Sequence, residues 1–169
     1  HSAIGDVIAT LGIAKLIAQK APNVWKASLM TLDKNKTLEL IKKEAYFCTN
    51  EYFYGKSRPY VQTFVCQHPQ YQWPLCFDLR HDPNIYLKMP IQELTTVMKK
   101  QPKFIRTIRH NKHPVIMNPK YGEKFDEYKV IGSSKLQERA KLIRGNNEFA
   151  EKILTIKRLE SEEKEQSKS

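Results

Sequence analysis

The chain opens His1-Ser2-Ala3-Ile4-Gly5-Asp6, and two of these six side chains could share one piece of chemistry. A neutral imidazole can take a proton from water near neutral pH. A carboxylate offers hard oxygen donors to magnesium, and two such ions about 4 Å apart can clamp the attacking and leaving oxygens of a phosphodiester. The spacing limits how the two groups meet. Five residues at 3.6 per turn put two side chains about 140° apart on a helix. Both can face one site only if His1 lies in the loop before a helix and Asp6 in its first or second turn. His1 is therefore the candidate general base and Asp6 the candidate metal ligand. A lone pair of this kind arises by chance in roughly one chain in seven of this composition. The weight rests on the longer string His-x-Ala-x-x-Asp-Val-x-Ala-Thr, which runs to Thr10.

Positioning these groups needs a helix, and residues 3–20 predict one. Ile4, Val7, Ile8, Leu11 and Ala14 form its apolar face, and Pro22 stops it. Short helices are expected over 24–30 and 36–43. The texture then changes. Tyr46 to Tyr54 is strand-like, Gly55 to Pro59 reads as a turn, and strands are expected over 60–66, 75–79, 104–110 and 114–117. Pro90 opens a helix over 91–100. Ser134 and Gln137 form a capping pattern for a helix ending at Arg144. Asn146 or Asn147 caps another, with Phe149, Ile153, Leu154 and Ile156 on one side. The segment 161–169 is charged and serine-rich and is expected to be frayed or disordered.

A net charge of +11 favours an anionic partner. No acidic residue falls between Leu94 and Gly122, while Lys99, Lys100, Lys103, Arg106, Arg109, Lys112 and Lys120 all do. On a strand, a period of two puts Arg106 and Arg109 on opposite faces. Lys56 and Arg58, flanked by Tyr54 and Tyr60, suit single-stranded nucleic acid, where stacking contributes about 1–3 kcal/mol per base. The competing reading is a hairpin of solvated charges and core tyrosines. Tyr71 and Trp73, next to Pro69 and Pro74, read as packing residues. The three cysteines, Cys48, Cys66 and Cys76, have no metal-type spacing and read as buried thiols in a reducing compartment. No apolar run is long enough to span a bilayer, and no secretory leader is recognisable. A cytoplasmic protein with no membrane partner is expected.

The string from His1 to Thr10, followed by Ala14-Lys15-Leu16, resembles the last motif of the DEDDh exonucleases, and within them the bacterial exodeoxyribonuclease I family. The resemblance continues to about residue 157. It takes in 35–41, His68-Pro69, Phe77-Asp78-Leu79, Asn111-Lys112-x-Pro114-Val115 and Lys141-Leu142-Ile143-Arg144. It implies an α+β chain: the terminal helix of a ribonuclease H-like exonuclease domain (1–21), then a Src-homology-3-like β-rich domain (22–145), then C-terminal helix and charged tail (146–169). It implies magnesium-dependent 3′-to-5′ hydrolysis of single-stranded DNA to 5′-mononucleotides in DNA repair, by a monomer using two ions in the intact site. His1 then matches the general base and Asp6 a metal ligand. Lys56, Arg58, Arg106, Arg109 and Lys112 become candidate DNA contacts.

The family's partner is the single-stranded-DNA-binding protein, whose acidic C-terminal tail docks on the β domain. Arg144 matches a basic residue of that dock, Asn118 stands where the family can place a glutamine, and Lys120 substitutes for an arginine. A docking tyrosine is replaced by Ala27. The family's other acidic motifs lie before the matched string, so the chain is expected to be a C-terminal portion that is inactive alone. The alternatives are a non-catalytic module for single-stranded DNA or the acidic tail, and a basic structural domain with an accidental motif.

Overall fold

The computed structural model describes residues 34–109 and 115–168. His1, Asp6, Ala27 and Lys112 lie outside the described residues, as do the helices expected over 3–20 and 24–30.

The first described element is helix α1 (Lys34–Lys43), whose Lys42 and Lys43 sit favourably at the negative end of the helix dipole. Then come β1 (Phe47–Phe53), β2 (Lys56–Gln67), β3 (Pro74–Asp78), a 3-10 turn (Pro83–Ile85), α2 (Ile91–Met98), β4 (Ile105–Thr107) and β5 (Val115–Met117). Short helices α3 (Pro119–Gly122) and α4 (Asp126–Lys129) lead to α5 (Ser133–Arg144) and α6 (Asn147–Lys168). The strands form one antiparallel sheet in the order β4-β3-β2-β1-β5. The architecture is α+β, as expected.

Alternation along the strands divides the sheet into two faces. Val61, Leu75, Phe77 and Leu79 pack with Leu94 and Met98 of α2, Tyr128 of α4, Leu136, Ala140 and Ile143 of α5, and Phe149, Ile153 and Ile156 of α6. Burying each large apolar side chain contributes about 1.5–3 kcal/mol. The opposite face carries a smaller cluster, with Leu40 and Ile41 of α1 against Phe47, Cys76, Ile108 and Ile116. Ile108 follows β4 and Ile116 belongs to β5, which are opposite edges of the sheet. Edges four strand spacings apart would stand about 19 Å from each other in a flat sheet. Sharing one cluster requires the sheet to curl around that face.

Several boundaries differ from the sequence reading. The β1–β2 turn is Tyr54-Gly55, and Lys56 to Pro59 belong to the strand. Helix α5 starts two residues early, with Gly132 at φ 88° rather than Ser134 as its N-cap, and Gln137 Nε2 donates to Ser133 Oγ. Asn146 caps α6, its Oδ1 accepting from Phe149 N at 2.8 Å. The segment expected to fray is helical to Lys168. Its Glu, Lys and Gln residues are strong helix formers, and Lys157 pairs with Glu160 at 3.4 Å on the same helix.

Buried polar groups lock the loop after β3. The fully buried Asp78 accepts from Tyr128 Oη at 2.7 Å and Arg80 N at 3.0 Å. Arg80 Nη1 reaches Glu127 at 3.0 Å. Arg139 Nη1 donates to the carbonyls of Leu79 and Arg80 at 2.9 and 3.1 Å. Burial and the neighbouring Asp78 carboxylate push the Tyr128 phenol well above its ordinary pKa.

Candidate nucleic-acid interface

Phe53 pairs with Lys56, so the β1–β2 hairpin turns on two residues. Both have positive φ, 51° at Tyr54 and 80° at Gly55, which a type I′ turn requires. Gly55 accepts this freely. Tyr54 does not, yet its side chain is fully exposed at the tip. Lys56 follows on the exposed surface.

Further along β2 the arrangement is tighter. Tyr60 is only 4 % exposed, so its ring cannot take a base. Its face is already covered: the Arg106 guanidinium lies 3.5 Å from the ring centroid, and that of Arg58 lies 5.6 Å away. Arg106 Nη2 also bonds Glu51 at 2.8 Å. This arm therefore reaches from β4 over β2 to β1. Arg58 pairs with Glu127 at 3.6 Å, with both side chains about half exposed. Tyr60 orients the cations rather than contacting a ligand itself.

Arg109 stands apart, as its strand parity requires. Its guanidinium lies 4.9 Å from the Trp73 ring centroid. Trp73 stacks on Tyr71 with centroids 4.5 Å apart and planes 23° from parallel. Tyr71 is 48 % exposed while Tyr60 is buried, so these two tyrosines exchange the roles their sequence neighbourhoods suggest, and Tyr54 keeps its exposed one. The signal for this pairing is register. Leu75 faces Thr107 across antiparallel strands, so two residues further along Trp73 meets Arg109.

The three candidate docking residues have local work. Arg144 Nη2 donates to the carbonyl oxygens of Lys42 and Glu44, the latter at 3.2 Å, closing the end of α1. Its guanidinium also lies 5.9 Å from the Phe64 ring. Asn118 caps α3, its Oδ1 accepting from Lys120 N at 3.0 Å, and the Lys120 residue is exposed.

Among the described residues no three His, Cys, Asp or Glu side chains converge to hold a metal ion. All three thiols are free, and burial raises Cys48 and Cys66 to about 12. That keeps them protonated and poor as nucleophiles or metal ligands. No helix among the described residues is long and apolar enough to cross a membrane.

No family model and no curated protein matches the chain. Solved structures do. Exonuclease I from E. coli in complex with a dT13 oligonucleotide aligns at 18 % identity and a TM-score of 0.59, covering 93 % of this chain and 37 % of that one. A moderately thermophilic exonuclease I from Methylocaldum szegediense aligns at 19 % identity and 0.60, with the same coverage. An ExoI/SSB-Ct complex aligns at 17 % identity and 0.56, covering 92 % of this chain and 37 % of its own. The chain thus has the fold of a portion of exonuclease I and spans about 37 % of the length of those proteins.

Proposed function

We propose that this chain is the C-terminal portion of an exodeoxyribonuclease I-type enzyme, with the intact protein hydrolysing single-stranded DNA from its 3′ end. On this reading residues 22–145 are the Src-homology-3-like domain, 1–21 end a ribonuclease H-like exonuclease domain, and 146–169 supply the following helix, which packs into the same core. The observation that carries the reading is the fold likeness to exonuclease I over 93 % of the chain. The cation–aromatic pairs around Tyr60 and Trp73 support it independently.

The described residues hold and orient DNA on this proposal. Tyr54 offers a free ring to a base. Lys56, Arg58 and Arg106 offer charge to phosphates, and Lys112, outside the described residues, is a further candidate phosphate contact. His1 takes a proton from the attacking water, and Asp6 contributes one oxygen ligand to magnesium in the intact site. Arg144, Asn118 and Lys120 face the acidic tail of the single-stranded-DNA-binding protein in a cytoplasmic setting. Arginine suits such a tail because its planar fork can hold a terminal carboxylate by two bonds.

The test uses the 169-residue chain and a fluorescent oligothymidylate. Binding is expected, with log affinity falling linearly with log salt as phosphate-bound counterions are released. A flat salt response would remove the electrostatic basis. Incubation with magnesium is expected to leave the oligonucleotide intact, because a single matched carboxylate cannot hold two ions. Robust degradation by this chain alone would overturn the assignment of Asp6 as one ligand among several.

A second reading is a non-catalytic module for single-stranded DNA or the acidic tail. The cation–aromatic pairs favour it to the extent that they need no metal. Upstream coding sequence for a strand bearing Asp-x-Glu would decide for the enzyme.

A further inference from the structure

We propose that Tyr71, Trp73 and Arg109 form a stacking subsite for one base of single-stranded nucleic acid, on the sheet face opposite Arg106. The inference rests on the single-strand-binding reading above and adds a specific location to it.

The loop that presents these rings is internally braced. His68 N donates to Trp73 O at 2.7 Å and Gln72 N to His68 O at 2.9 Å. His68 Nδ1 accepts from the backbone N–H groups of Gln70 and Tyr71 at 3.1 and 3.3 Å. Gln67 Nε2 reaches Gln72 O at 3.0 Å, and Gln72 takes a positive φ of 63°. The loop therefore holds Tyr71 and Trp73 without burying them in either core. A ring pair serving only to pack would be covered, but Tyr71 leaves 48 % of its surface to solvent. An exposed ring already in a parallel stack costs little further ordering when a base extends the stack.

Charge selects the ligand. Arg109 lies over Trp73, where its remaining N–H groups can meet a backbone phosphate. Lys157 and Lys164 of α6 bring further positive charge to the His68 end of the loop, with Glu160 the opposing acid. A flat aromatic platform bordered by cations matches a nucleobase followed by its phosphate. Arg106 lies within the edge strand β4 and Arg109 two residues beyond it, so one extended strand crossing that edge can meet a cation on each face.

The sequence has two tryptophans, Trp25 and Trp73, so Trp25→Phe leaves Trp73 as the sole reporter. The 169-residue variant is titrated with an oligothymidylate of about twelve residues, within the usual span of such sites, while anisotropy of a labelled copy follows total binding. Trp73 emission is expected to quench with the same midpoint as the anisotropy. In the otherwise unaltered chain, Tyr71→Ala and Arg109→Ala are each expected to weaken binding about five- to tenfold, with unchanged melting curves. Saturating anisotropy with constant Trp73 emission and undiminished Tyr71→Ala affinity would overturn the subsite and leave the single-strand reading standing. Quenching by an acidic peptide ending in phenylalanine, but not by the oligonucleotide, would also overturn it. Absence of all oligonucleotide binding would remove the subsite together with the reading it rests on.

Discussion

Tyr54 occupies the left-handed backbone region, where a residue with a Cβ sits about 1–2 kcal/mol above a relaxed conformation. Asparagine tolerates that region and is preferred before glycine in such turns. Tyr54→Asn is therefore expected to raise the melting midpoint by a few degrees, since about 1 kcal/mol shifts a domain of this size by roughly 2–4 °C. Oligothymidylate affinity should fall in the same variant. Unchanged affinity in an anisotropy titration would take Tyr54 out of the interface. Glu51 acts in the opposite sense, since its carboxylate holds Arg106 where a phosphate could sit. Glu51→Gln is expected to tighten oligonucleotide binding severalfold and steepen its salt dependence, read from the same titration over several salt concentrations. His68 sets a pH limit. Burial first and Lys157 second lower its pKa from 6.5, and its Nδ1 must stay unprotonated to accept two N–H groups. The unfolded chain protonates more readily than the folded one, so full stability holds above about pH 6.5 and is lost as pH falls from there through the lower folded value. Urea melts between about pH 7 and pH 5 should show the loss, and His68→Asn, which keeps a side-chain acceptor, should reduce it.

Helix α3 is held against the sheet by a residue with no side chain. A Cβ on Gly122 would lie 2.5 Å from Val61 Cγ2 and 2.9 Å from Cys48 Sγ. Both neighbours are fully buried, so neither can swing aside. Gly122→Ala is expected to destabilise by about 1–3 kcal/mol through overpacking, measurable by urea denaturation. Arg144 joins α5 to the end of α1, and Arg144→Ala should cost about 1–2 kcal/mol of stability by leaving two carbonyls unmet. Any additional loss of acidic-tail capture, measured on the folded variant, would show that the guanidinium also serves the partner. Elements of this kind differ in how far their sequences reveal them. The apolar periods of α5 and α6 and the aromatic runs of β1 to β3 were legible because they depend on neighbours a few residues away. Period-two parity also separated Arg106 from Arg109. What parity could not supply was the identity of each cation's partner. Tyr60 and Tyr71 both adjoin basic or proline-rich turns, and their exposures are decided by strand pairing across tens of residues. The short helices α3 and α4 carry too few residues for any period to emerge. His1 and Asp6, where sequence reasoning began, lie outside the described residues.

At the scale of the molecule, two unequal cores grip one curled sheet, and the buried Asp78 ties the larger of them to the loop beyond β3. Tyr128→Phe would strip that carboxylate of its phenolic donor while keeping the ring's volume. A loss of about 1–3 kcal/mol is expected from the unmet buried acceptor, seen as a lower urea midpoint with an unchanged slope. The overall charge of +11 gives the chain a general attraction for polyanions. On the proposed reading, discrimination for single strands comes from the exposed rings of Tyr54 and Tyr71, which can stack on unpaired bases. A duplex of matched sequence is accordingly expected to bind more weakly than the oligothymidylate at equal salt, since its bases are already stacked on one another.

One margin of the sheet, β4, is a strand of only three residues. A foreign strand seeking to extend the ladder would find room for very few backbone bonds before the register ran out. On that margin such brevity works against fibril growth, which matters for a strongly cationic protein wherever a polyanion would concentrate it.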